Sequence, residues 1–224
     1  MSDATSLDEN EDVRASDGRV PGRRGRATRR KLLDQTAEML RSTSYRDLKV
    51  IDIARGAGTS PATFYQYFGD VEAAILLLSE EMAEASERLV EMIQQGDWGG
   101  TAGYDTALAF ADEFIRFWDE HRPVLRVVDL STDEGDRRFR SVRVRWLNSL
   151  TKAFAAVTES FQAEGQNLGV DPMANAGVLV TMIANVAAHH YGFEFWGIPT
   201  ADVRIALARH TYWGVTGQQP PIAS

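Results

Sequence analysis

The chain has no cysteine among its 224 residues. Disulfides and thiolate metal sites are excluded, which suits a reducing compartment such as the cytosol. The amino terminus carries no apolar segment of the kind that directs secretion. The longest nearly unbroken apolar run, Ala176 to Ala188, falls short of the roughly 20 residues that cross a bilayer. Excess positive charge is missing too. Against 24 Lys and Arg stand 32 Asp and Glu, a net charge of −8, which taken as a whole argues against a nucleic-acid partner. No HExxH, nucleotide-binding glycine loop or nucleophile elbow occurs. His189 and His190 are adjacent, so on a helix they point about 100° apart and do not readily share a metal with each other, Glu194 or His210. These absences lead to the expectation of a cytoplasmic, non-enzymatic protein that needs no membrane, metal or cofactor.

The charge that is present is unevenly spread. Residues 1–20 carry a net −4, residues 21–68 a net +6 and the remainder −10. The basic block contains Ile51 to Phe68, IDIARGAGTSPATFYQYF, and this stretch reads as a helix-turn-helix. Val50, Ile53 and Ala54 fall three and four apart, as on a short one-sided helix, with Asp47 as its expected cap. Gly58 supplies a turn residue that tolerates positive φ. Ser60 then offers a side-chain oxygen to the next helix's free amides, and Pro61 fits the first helical position. In the second helix Phe64 and Phe68 point inward, leaving Thr63, Gln66 and Tyr67 outward with Tyr65 at the flank. These groups bond phosphates and base edges, and a short turn containing Gly joins helices in the unit that enters a DNA major groove.

Upstream, Arg23, Arg24, Arg26, Arg29, Arg30 and Lys31 are expected to begin as a flexible arm along DNA phosphates or a minor groove. A helix follows from Ala27 to about Ser42, with Leu33, Ala37 and Leu40 on one face. Residues 1–20, rich in Ser, Asp and Glu, are expected to form a disordered tail.

From Arg26 to about Leu78 the chain resembles the DNA-binding domain of the TetR family of transcriptional regulators. The likeness is carried by Asp52-Ile53-Ala54, Ala57-Gly58-Thr59-Ser60, Thr63-Phe64-Tyr65, Tyr67-Phe68 and Glu72-Ala73. Two positions depart from the family's pattern: Val71 stands where a phosphate-contacting lysine is usual, and Lys49 where threonine is common. The resemblance implies a homodimer, an effector pocket in the remaining helices and a near-palindromic double-stranded DNA operator. Thr63, Gln66 and Tyr67 would then read bases, Lys49, Thr59, Ser60 and Tyr65 would hold phosphates, and Arg23, Arg24 and Arg26 would add affinity.

Beyond the basic block, hydrophobic spacing predicts a long fourth helix from Val71 to Met92 and a Gly-rich loop around Trp98. A largely buried helix, Tyr104 to Glu120, is expected next, and then a short helix from Pro123 to Leu130. A long helix to about Gln162 follows, with Phe139, Val142, Trp146, Ala153, Val157 and Phe161 inward. Its Arg137, Arg138, Arg140, Arg143 and Arg145 read as surface residues or ion-pair partners of acidic helices. Asp171-Pro172 opens a helix that is apolar all round from Ala176 to Ala188, and a last helix runs from Ala201 to about Trp213. These last two helices are expected to make the intersubunit bundle of the homodimer. Phe110, Phe114, Trp118, Trp146, Met182 and Asn185 are the candidates for lining a cavity for a small hydrophobic effector.

The fold expected is thus all-α, with about nine helices: a basic arm and three-helix helix-turn-helix domain over residues 21–69, and a larger effector-binding and dimerisation domain over 70–216. A C-terminal tail would occupy 217–224. The expected function is a ligand-responsive regulator, a repressor. The same scaffold also admits an activator or co-bound regulator, or a small-molecule carrier that has lost operator binding; DNA affinity with and without effector separates them.

Overall fold

The structure, a computed structural model, describes residues 22–221; the expected acidic tail lies outside them. The helices are α1 (Arg23–Leu40), α2 (Val50–Gly56), α3 (Pro61–Tyr67), α4 (Val71–Ala85), α5 (Glu87–Gln95), α6 (Gly100–Asp133), α7 (Arg137–Ala163), α8 (Pro172–Phe195) and α9 (Thr200–Thr216). A single 3-10 turn spans Tyr45–Asp47, and no strand occurs among the described residues. The chain divides into two compact units after Ser79, inside α4. None of the described helices is long and apolar enough to cross a membrane.

In the first unit, Leu32, Leu33 and Leu40 of α1, Ile53 and Ala54 of α2, and Phe64 of α3 form the buried core. Two local expectations are corrected. The first helix begins at Arg23 rather than Ala27, with the Arg26 amide donating to the Gly22 carbonyl at 3.0 Å. Arginine and alanine are strong helix formers, and they outweigh the roughly 1 kcal/mol cost of Gly25. Asp47 does not cap α2: it lies in the 3-10 turn, and the N-cap position falls to Lys49 without a side-chain bond.

The second unit is built around α6 and α7. α6 packs against α5, α7, α8 and α9, and α7 against α5, α6, α8 and α9. The long fourth helix of the sequence reading is broken at Ser86. Its amide donates to both Met82 and Ala83 carbonyls, and its hydroxyl donates to Ala83 at 2.6 Å. This local bonding ends α4 and lets α5 start afresh. Pro123, by contrast, does not start a new helix but lies inside α6. Proline withholds the donor for the Asp119 carbonyl, yet Val124, Leu125, Val127 and Val128 are buried just beyond it and hold the turn.

Trp98 is a plug. Its Nε1 donates to the Ile93 carbonyl at 2.9 Å, and its ring meets Phe154 edge-on at 5.9 Å. All six residues expected to face inward on α7 are buried. Of its arginines, Arg143 pairs with Asp129 at 2.8 Å and Arg145 with Glu80 at 3.7 Å on other helices, whereas Arg138 pairs with Asp136 at 2.8 Å, the N-cap of its own helix.

The loop between α7 and α8 is tied to α9 by amides. Asn167, at φ 48°, donates from Nδ2 to the Gly214 and Val215 carbonyls, each at 2.9 Å, and Asn175 donates to Gly214 at 2.8 Å. α8 itself is not covered all round within the chain. Ala176, Leu179, Val180, Ile183 and Ala187 are buried, but Val178 is 71% exposed, and Thr181 and Asn185 are exposed beside it.

Candidate nucleic-acid interface and ligand clefts

The recognition unit is set by four local devices. Gly58 adopts φ 69°, where a side chain would be strained. Thr59 is tied to the end of α2 by its amide, 2.8 Å from the Ala54 carbonyl, and by its hydroxyl on the same oxygen at 3.4 Å. Ser60 caps α3, its Oγ accepting from the Thr63 amide at 3.2 Å and lying 3.0 Å from the Thr63 hydroxyl. Asp70 does the same for α4, accepting from the Ala73 amide at 2.7 Å. Ser60→Ala is expected to destabilise the first unit by about 1 kcal/mol; its melting midpoint, followed by circular dichroism, checks this.

Phe64 is fully buried, with Phe68 at 5.3 Å and the ring of Tyr65 edge-on at 5.8 Å. The guanidinium of Arg29 lies over Phe68 at 5.7 Å. This anchoring turns the remainder of α3 outward: Tyr65 and Gln66 are exposed, Thr63 and Tyr67 half-buried. Arg23, Arg24 and Arg26 lie exposed on the first turns of α1, a rigid basic end rather than an arm. Lys49 is exposed at the start of α2. Of the ten expected DNA-contacting residues, Thr59 and Ser60 already spend hydroxyl bonding inside the turn, a use that spacing alone does not reveal.

The candidate effector residues separate into two places. Phe110, Phe114, Trp118 and Trp146 come together in the core of the second unit: Trp146 stacks on Phe114 at 6.5 Å and lies 5.8 Å from Trp118, while Phe110 is 5.7 Å from Phe114. Trp146 Nε1 is buried with no hydrogen-bond partner among the described residues. Met182 and Asn185 lie elsewhere, on the uncovered side of α8. Met182 lines an apolar groove of about 360 Å³ with Val203, Leu207 and His210 of α9. Asn185 lines a cleft of about 470 Å³ between α8 and Arg122 of α6.

The histidines do not converge. His189 Nδ1 is 2.9 Å from the Asn185 carbonyl, and buried His190 has its Nδ1 2.8 Å from the Ala187 carbonyl. Glu194 accepts from the Thr200 hydroxyl at 2.6 Å. No cluster of three potential metal ligands occurs among the described residues.

A family profile described as bacterial regulatory proteins of the tetR family matches residues 32–74, and one described as a tetracyclin repressor-like C-terminal domain matches residues 89–222. The chain belongs to the TetR family. A curated relative, an uncharacterized HTH-type transcriptional regulator of Haemophilus influenzae, is 28% identical over 119 residues. That match covers 53% of this chain and 57% of the relative, so the chain spans little more than half the relative's length. Among solved structures, the fatty acid degradation regulator FadR of Bacillus halodurans has a TM-score of 0.64 at 13% identity, covering 87% of this chain and 97% of that one. The transcriptional regulator FadR of Bacillus subtilis, solved in complex with stearoyl-CoA, has a TM-score of 0.61 at 19% identity, covering 85% and 99%. These structures share the TetR fold with this chain, and the family assignment makes it a DNA-binding transcriptional regulator.

Proposed function

We propose that this TetR-family regulator is a cytoplasmic repressor that binds a near-palindromic operator as a homodimer and is released by a small hydrophobic effector. The observation that carries the reading is the polar outer face of α3, held outward by buried Phe64 and Phe68 within the net-basic segment of residues 21–68. Thr63, Gln66 and Tyr67 read base edges, while Lys49, Tyr65 and the arginines opening α1 hold phosphates, together with what Thr59 and Ser60 still offer.

The dimer is supported by the uncovered apolar surface of α8 and α9, with Val178, Ile205 and Trp213 exposed. Exposed surface of this kind marks an interaction site, and two such helices from each copy make a four-helix bundle. The effector is supported by the aromatic cluster around Trp146 and by its buried, unpartnered donor, since ligand sites combine aromatic side chains with a few placed polar groups. Stearoyl-CoA in the Bacillus subtilis relative supports an effector with an apolar body. Effector binding acts by population shift: it favours a state in which the two α3 helices no longer match successive major grooves, about 34 Å apart.

The test is selection of bound duplexes from a random DNA pool by the purified chain at moderate salt. A two-fold symmetric site is expected; no enrichment, after any copurified ligand is removed, would overturn the reading. Within that assay Tyr65→Phe is expected to weaken operator and random DNA alike, whereas Gln66→Ala alters sequence preference. Equal losses on both DNAs for the Gln66 substitution would remove it from the base-reading set.

A further inference from the structure

The contacts assigned to DNA leave the acidic residues 1–20 without a role. They carry Asp3, Asp8, Glu9, Glu11, Asp12 and Asp17 against Arg14 and Arg19, and four of the six acids fall within residues 8–12. The chain then runs directly into α1, which opens with Arg23 and Arg24. A net −4 is thus joined covalently to the net +6 of residues 21–68.

The cations at the start of the first unit are not spent inside its fold. Arg23, Arg24, Lys31 and Lys49 are exposed, and none of them has a carboxylate partner among the described residues. The ion pairs that do form use other cations: Arg30 with Asp34 at 2.7 Å, Arg41 with Glu38 at 3.2 Å and Arg55 with Asp52 at 3.2 Å. Arg24 and Lys31 are seven residues apart on α1. They therefore share one face of the helix, about 10 Å apart along its axis.

Chain length brings the two charges within reach of each other. Residues 13–22 link the acidic cluster to Arg23 and span at most about 40 Å. A link this short keeps the carboxylates at an effective concentration on the order of millimolar around the first turns of α1. Each exposed ion pair is worth only about 0–1 kcal/mol, so an array of DNA phosphates can displace them, but only by losing part of its own gain.

We propose that residues 1–20 act as an intramolecular competitor of DNA: the carboxylates of residues 8–12 pair with Arg23, Arg24 and Lys31 when no DNA is bound, and phosphates displace them. The consequence is a weaker hold on DNA of any sequence. The inference rests on the assignment of the α1 arginines to phosphate, and it needs neither an operator, an effector nor a dimer.

The test is fluorescence anisotropy of a labelled random-sequence duplex titrated with the full chain between about 50 and 200 mM salt. Asp8→Asn, Glu9→Gln, Glu11→Gln and Asp12→Asn, combined, keep the length and remove the charge. This variant is expected to bind random DNA about tenfold tighter at the lowest salt. Its log–log salt slope should also be steeper by about one to two, because in the parent chain salt weakens the competing contact together with the DNA contact. Neutralising four exposed acids of the second unit, Glu84, Glu91, Asp105 and Glu159, is the control for net charge alone, and it should change affinity by less than about twofold. Replacing Arg23 and Arg24 by glutamine should cut the gain from the neutralised segment below about threefold, since its partners are gone. The proposal is overturned by no gain on neutralising residues 8–12, by an equal gain in the control, by a gain undiminished without the two arginines, or by no binding of either chain at the lowest salt. A failure to select an operator leaves each of these readings unchanged, and an absent gain leaves operator selection unchanged.

Discussion

Phe64→Ala is expected to abolish DNA binding while leaving the C-terminal helices folded. Phe64 is fully buried and is the anchor of α3, with Phe68 at 5.3 Å and Tyr65 at 5.8 Å. Truncating a buried phenylalanine costs about 3–5 kcal/mol. A unit of this size has a total stability of roughly 3–9 kcal/mol. The first unit is therefore left marginal or unfolded, and α3 loses the packing that turns Thr63 and Gln66 outward. The second unit, whose core begins beyond Glu80, keeps its own contacts. A thermal melt should resolve into an early and a late step, and electrophoretic mobility shift should show no complex at concentrations that saturate the parent chain. An unchanged melt with DNA binding retained would show that α3 is held by something other than Phe64.

The second large effect lies at the start of α6. Gly103 faces the backbone of Trp98: an added Cβ would sit 2.1 Å from the Trp98 carbonyl oxygen and 2.2 Å from its carbon. A flexible side chain can swing aside, but a main chain cannot. Here the main chain is held on both sides, by the Trp98 indole bonded to Ile93 and by the Thr106 hydroxyl donating to the Asp97 carbonyl at 2.6 Å. Gly103→Ala must either lift the loop and draw Trp98 away from Phe154 or distort the first turns of α6. A cost of about 3 kcal/mol is expected, which for a protein of this length lowers the melting temperature by about 10 °C. Gly99→Ala is the control, since its Cβ would meet only Asp97 Oδ1 at 3.4 Å, and its midpoint should stay within about 1 °C of the parent. Scanning calorimetry of the two variants decides the matter; equal shifts would mean that the loop yields.

The helices, the turn and the inward faces were legible because each rests on a signal confined to a few residues. Ser60-Pro61 and Asp171-Pro172 are caps with a first-turn proline, and both open helices with the expected side-chain bond. The stripe along α7 has helical spacing over many turns, so its buried set could be read directly. The misread boundaries share another cause. Pro123 and Gly25 are helix breakers by propensity, but α6 and α1 run through them because neighbouring residues hold or favour the helix, and Ser86 breaks a helix without being a breaker by type. Local propensity is a weak prior that packing overrides.

The site was legible in unequal parts. The outward face of α3 follows from two phenylalanines four residues apart. The cleft at Arg122 does not, because its α6 and α8 walls are far apart in sequence and meet only when the two helices pack. Met182 and Asn185 shared an apolar helix with core residues, and only the geometry shows that they occupy its uncovered side.

The tie between Asn167 and α9 makes the chain sensitive to chemical ageing. The Asn167 side-chain amide reaches both the Gly214 and Val215 carbonyls from a left-handed backbone conformation, and only Gly214 has a second donor, Asn175. Asparagine is a thermolabile residue. Hydrolysis of this amide would leave a carboxylate, which cannot donate and whose charge opposes the negative end of the helix. A gain of one mass unit at this residue during storage would thus loosen the loop from α9 without any mutation, and the freshness of a preparation becomes a variable in every stability measurement made on it.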